Sequence, residues 1–447
     1  MLRTYKLASV ATLLCCVVGT QVHAQDWANW RGPNYNGSTT ATNLPIKFSQ
    51  KEGLRWAAPL PGPGASTPVI WKNSVFVSST DTTAKDLIAL CLDRRTGKVL
   101  WKQSIGSGYL PGGEGNKIQL DSRSNYASPS PVTDGKRVIF FFGNGDLASF
   151  DLKGNKQWQR NLQKENGEFC FMWTFSSSPQ LWQGKLYMQI LQRDQNVGSR
   201  GKDKSDSYLM ALDPETGKEL WRSSRPTEAR NESRESYATP IPYVHNGRKE
   251  LLVAGGDCLT GHDPENGKEL WRWGTWNPEH REVWWRLVPS PVAGAGVILA
   301  CAPKTAPVFA TKAGATGNIS VGGLVWRSED RSNITSDVPT PLFYEGKFYV
   351  LSDVRRSLTC VDPQTGKPLW ATKTPGTIMF WGSPTGADGK LYLMNLHGEV
   401  LVVDAKSGEI LATNPMADEQ TEIKSTVVVA YNTLFIRTNT HLYCVGK

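Results

Sequence analysis

Histidine is scarce in this chain, six of 447 residues, and no CxxC pair, no CxxCH and no cluster of histidine with cysteine occurs. A zinc site or a covalently held haem therefore lacks its ligands. Charged residues make up only 20%, and although the formal charge is +9, it is spread thinly. No Lys/Arg run interleaved with aromatics appears, so nucleic acid is not an expected partner. There is no phosphate-binding glycine loop and no Ser-His-Asp order. Beyond the first residues no apolar stretch is long enough to span a bilayer.

What is present begins with a leader. Arg3 and Lys6 precede an apolar run that ends in Val22-His23-Ala24, the pattern of a secretory signal peptide cut after Ala24. A lipid-modified cysteine would need a small residue before it, whereas Leu14 precedes Cys15 and Cys15 precedes Cys16. The expected organisation is a signal peptide over 1–24, an N-terminal segment over 25–62 and one repeat domain over 63–447, in a secreted or periplasmic monomer. Six cysteines remain after cleavage. Cys91 and Cys360 stand two residues before a repeat aspartate and Cys444 lies in a matching strand, so they read as buried small hydrophobes.

The repeat is "DPETGKELW" from Asp213 and "DPENGKELW" from Asp263, with relatives starting at Asp93, Asp151, Asp362 and Asp404. Asp with Thr or Ser caps a tight turn through side-chain to backbone hydrogen bonds, Gly takes the positive φ that closes it, and Leu-Trp starts a strand. Upstream of each turn a small residue and Pro open another β run, as in "ASTPVI", "SPSPVT" and "PTPLFY", followed by a short polar hairpin turn. Eight such units are legible, counting a degenerate one between Asp263 and Asp362. Four-stranded units that cannot bury both faces alone are arranged radially, which predicts an all-β, eight-bladed β-propeller of antiparallel blades. The last unit stops without its outer strand. "GLRWAAPL", with Trp56 in the repeat position, is predicted to complete it and close the ring.

The Asp-Pro-x-Thr-Gly-Lys-x-Leu-Trp unit resembles the repeat of the pyrroloquinoline quinone (PQQ)-like β-propeller superfamily over essentially the whole mature chain, and "DWANWRGPNYNG" is similar to the opening of its secreted WRGP-type members. That superfamily holds quinoprotein dehydrogenases and non-enzymatic scaffolds such as BamB-type assembly factors. The resemblance therefore implies the fold more narrowly than the function.

Seven tryptophans, Trp56, Trp101, Trp158, Trp221, Trp271, Trp326 and Trp370, fall at one repeat position and are expected to pack between blades. If the small-Pro strand is innermost, the long connections all emerge on one face. Just before the inner strands that face carries Arg123 and Tyr126, Trp173 and Phe175, Arg234 and Tyr237, then Trp284, Trp285 and Arg286. Asp337, Met379, Trp381 and Lys424 follow further round. Aromatic faces with cations suit a planar anion such as PQQ or an acidic sugar ring. The leading expectation is a binding or assembly scaffold for a protein partner, an acidic small molecule or a glycan, with no cofactor. The alternatives are a polysaccharide lyase or hydrolase with His280 or Asp337 as proton-transfer group, and a PQQ-dependent dehydrogenase. The last is disfavoured, since the only adjacent cysteines are in the leader and Asn125 with Asp337 does not complete a calcium set.

Overall fold

The computed structural model describes residues 26–107, 125–197, 201–274, 276–417 and 422–447. The predicted leader and Arg123 lie outside them. Eight sheets follow one another along the chain. Blade 1 runs outward through Val69–Trp71, Ser74–Asp81, Asp86–Asp93 and Val99–Ser107. Blades 2 to 7 repeat that order with inner strands opening at Val132, Gln180, Ile241, Val292, Leu342 and Thr385. Middle strands such as Val297–Cys301 and Ser357–Val361 are buried at every position, because a neighbouring blade covers each face. Outer strands such as Glu219–Ser224 alternate between exposed and half-buried residues. The six cysteines among the described residues form no disulfide and are buried within this framework.

Blade 8 has Val428–Ala430 innermost, and its outer strand is Leu54–Pro59, paired antiparallel to His441–Val445 with Trp56 opposite Cys444. The ring therefore closes on an N-terminal strand, as the sequence predicts.

The repeat motif is a docking device between blades. The indole N–H of Trp101 donates to Leu152 O at 3.1 Å, Trp158 to Pro214 O at 3.0 Å, Trp221 to Pro264 O at 3.1 Å and Trp326 to Pro363 O at 2.8 Å. Each acceptor lies in the turn of the next blade. That turn is held by its aspartate: Asp362 Oδ1 accepts from Gln364 N, Thr365 N and the Thr365 hydroxyl. The glycine of the turn leaves room for the ring, since a Cβ on Gly366 would lie 2.5 Å from Trp326.

Blade 5 departs from the rule. Its outer connection carries no Thr-Gly-Lys turn, so Trp271 of blade 4 has no receptor and turns its indole N–H to Glu250 of its own blade. The inserted residues instead form Gly317–Ile319, a fifth strand parallel to the outer strand of blade 4.

Around the axis the inner strands are stitched by hydroxyls. The backbone N–H of Thr67 donates to Ser130 Oγ at 2.9 Å and that of Ser130 to Ser178 Oγ at 3.0 Å. The same link recurs through Thr239, Ser290, Thr340, Ser383 and Thr426. The small residue before each proline is thus the hinge pin of the ring. At the seam between blades 8 and 1, the fully buried Arg437 donates from Nη1 to Ser66 O at 3.0 Å and to the Ser66 hydroxyl.

The WRGP segment passes under this ring. It bonds to the hairpin ends of inner strands: Trp27 with Ile70, Thr133 N with Ala28 O, Tyr35 Oη with Leu181 O, and Phe343 N with Asn36 O. Arg31, wholly buried, donates from Nη2 to Pro341 O and Asn36 O at 3.0 and 3.1 Å and from Nη1 to Pro384 O at 3.4 Å. Among the described residues no carboxylate bonds to it, and burial pushes its guanidinium down to about 9. Gly37 stands at φ +88° where a Cβ would fall 2.1 Å from Arg31 Nη2, so the motif needs glycine there.

Candidate functional site

The inner strands enclose an axial cavity of about 430 Å³. Its wall follows from strand periodicity. Side chains on an extended chain alternate, so the residue two before each hinge hydroxyl points the same way as the hydroxyl, toward the axis. In blades 1 to 3 these are Ala65, Ser128 and Ser176, which leave space; in blades 5 and 6 they are Val288 and Val338. In blades 4, 7 and 8 they are Tyr237, Trp381 and Lys424, and all of these line the cavity. Trp30 of the underlying segment lines it as well. Since that segment lies at the hairpin ends of the strands, Trp30 forms the floor and the opening is on the opposite face.

One side of the mouth is charged. Arg286 grips Asp337 with two nitrogens, Nη1 to Oδ1 at 3.2 Å and Nη2 to Oδ2 at 3.3 Å, and Lys304 N donates to Asp337 Oδ1 at 2.6 Å. Asp337 N in turn donates to Asp353 Oδ1 at 3.0 Å. Burial, with the Asp337 charge adding to it, pushes the Asp353 carboxyl up to about 6. Lys424 Nζ is 3.1 Å from Glu422 Oε2 and 5.5 Å from the Trp381 ring centre.

The other side is aromatic and braced from behind. The backbone N–H of Trp173 donates to Tyr237 Oη at 3.1 Å, and its indole N–H donates to Glu232 Oε1 at 3.2 Å. Tyr237 Oη donates to Glu235, which is also bonded by Arg193 and by Met172 N. Burial pushes Glu235 up to about 7 against the opposing pull of Arg193.

Of the residues expected at the mouth, the cavity gathers Trp173, Tyr237, Arg286, Asp337, Met379, Trp381 and Lys424. Tyr126 and Phe175 stand elsewhere, buried in the packing of blades 1 to 3. Arg234 turns outward to Asp194 at 3.2 Å and lines a separate polar cavity of about 280 Å³. Trp285 packs against blade 4, and Trp284 is 53% exposed. His280 Nδ1 is 2.8 Å from the buried Asp257 and takes no part in the axial wall. Sequence reasoning missed Trp30, Lys304 and Asp353. The two-residue register from each hinge hydroxyl would have found the wall, but nothing local marks these three.

The donor set does not fit a calcium-bound quinone. Calcium asks for six to eight oxygens, yet both Asp337 oxygens are taken by Arg286. Among the described residues no three His, Cys, Asp or Glu side chains converge.

A ring of eight blades locked by tryptophan docking defines a class, and the family comparison agrees. The model described as outer membrane protein assembly factor BamB matches residues 38–200, 204–314 and 315–445. The chain belongs to that family, within the PQQ-like β-propellers. Among solved structures it is similar to a europium-containing methanol dehydrogenase, with 11% identity over 95% of this chain and 90% of that one and a TM-score of 0.65. It is similar also to BamB from Moraxella catarrhalis, with 11% identity over 88% and 99% and a TM-score of 0.60. The computationally designed Ika8 protein gives 11% identity over 87% and 98%, with a TM-score of 0.56. At such identities the likeness is one of fold. No curated protein matches the chain.

Proposed function

We propose that this is an exported binding protein whose axial cavity takes a small acidic, ring-bearing molecule such as an acidic sugar. The observation that carries the reading is the convergence of Trp30, Trp173 and Trp381 with Arg286, Lys304 and Lys424 in one blind cavity. Indole faces suit the apolar face of a ring, and the cations suit its acid group. The export is proposed from the leader of Arg3 to Ala24. Calorimetry with acidic and neutral sugars tests the reading: acidic ligands should bind and a Trp381→Ala, Lys424→Ala double variant should lose them. Binding that is indifferent to that variant overturns it.

A second reading is supported by the family description and by the half-exposed Trp284: an assembly scaffold that docks a protein partner on the same face. In that case Trp284→Ala weakens partner capture, and the cavity variant leaves it intact.

A further inference from the structure

Two aspartates line the axial cavity from neighbouring loops of blade 6, and they are treated differently. Asp337 is compensated by the two-pronged Arg286 contact and by Lys304 N. Asp353 is 3% exposed, accepts from Asp337 N, and makes no ion pair among the described residues. The charged and titratable groups that face it are Asp337, Arg286 and Lys304 from the flanking loops and Cys301 from blade 5, with Arg355 and Arg356 following on its own turn. Arg355 N is tied to Ser352 Oγ and Arg356 Nη1 to Gly376 O. A buried carboxyl beside a second carboxylate, with no ion pair of its own among the described residues, resists ionisation.

We propose that Asp353 is the specificity residue of the cavity: protonated, it donates a hydrogen bond to the acid group of the ligand, and ionised, it repels that group. The proposal rests on the reading of the cavity as a site for an acidic ligand and adds the residue that makes binding conditional. The carboxyl pushed up to about 6 places the change within the accessible pH range. Only the protonated fraction binds well, so affinity falls about tenfold for each pH unit above that point until the weaker ionised form takes over. A neutral sugar of the same shape is indifferent to the change.

The test titrates the whole protein with D-glucuronate, whose carboxylate stays ionised throughout, and with D-glucose, from pH 5 to pH 8. Tryptophan fluorescence and calorimetry are the readouts. D-Glucuronate is expected to weaken about tenfold or more across that range in the wild type, with D-glucose flat, and Asp353→Asn is expected to remove the slope while keeping the acid-side affinity. Glu235, behind Tyr237, also ionises in this range, so a slope that survives Asp353→Asn assigns the effect to Glu235 and overturns the proposal. A flat wild-type profile overturns it too, even should the variant fail to fold, and leaves the cavity reading standing. No binding of D-glucuronate at any pH overturns both.

Discussion

Trp326 of blade 5 donates its indole N–H to Pro363 of blade 6 at 2.8 Å, and the ring lies where a Cβ on Gly366 would sit. Contact and space are supplied by the same short motif. Trp326→Phe should cost about 1 kcal/mol through the lost hydrogen bond. Gly366→Ala should cost about 2 kcal/mol or more, since it adds a clash to a residue at φ +68°. Urea unfolding of both variants checks the order.

The segment under the ring makes a different prediction. Arg31→Met strips three carbonyls of their donor, two of them in buried hydrogen bonds, a loss of about 3 kcal/mol. Trp30→Ala removes only a half-buried ring and should leave the melting temperature closer to wild type while weakening ligand retention in the cavity. Thermal melts with and without D-glucuronate separate the two effects.

Acid sensitivity should centre on one histidine. His262 is buried with Nε2 at 2.9 Å from Thr260 Oγ1 and Nδ1 at 3.0 Å from Gly267 O. Burial, with Arg225 adding to it, lowers it from 6.5 to about 4. The unfolded chain takes up that proton first, so the contribution is whole above pH 6.5 and falls as pH drops from there toward 4. The difference in stability between wild type and His262→Gln should change by about 3 kcal/mol over that window. Parallel profiles for the two proteins would contradict it.

The blade repeat was legible because everything it needs lies within nine residues: an aspartate cap, a glycine and a tryptophan. The closing strand was legible for the same reason, as Trp56 carries the motif's last letter. Distance in sequence hid the rest. Arg31 acts on the Pro341 and Pro384 carbonyls, more than three hundred residues away, and Trp30 on a cavity whose wall is drawn from all eight blades. Gly317–Ile319 has no alternation to announce a strand, and it exists because blade 5 lacks the turn that would have received Trp271. Asp353 stands in "SDVRRS", which reads as a polar hairpin turn. Tyr126, Arg234 and Trp285 looked equivalent to Tyr237 and Trp381, but they stand four or five positions before the hinge hydroxyl. There the extended register no longer fixes which way a side chain points.

The central claim is that the blind axial cavity is where this propeller binds. It is tested most directly by ¹⁹F NMR of the 5-fluorotryptophan-labelled protein, titrated with D-glucuronate at pH 5. The resonances of Trp30, Trp173 and Trp381 should move together while the docking tryptophans Trp101, Trp158 and Trp326 stay fixed. Movement of Trp284 alone, or of no tryptophan, would contradict the account.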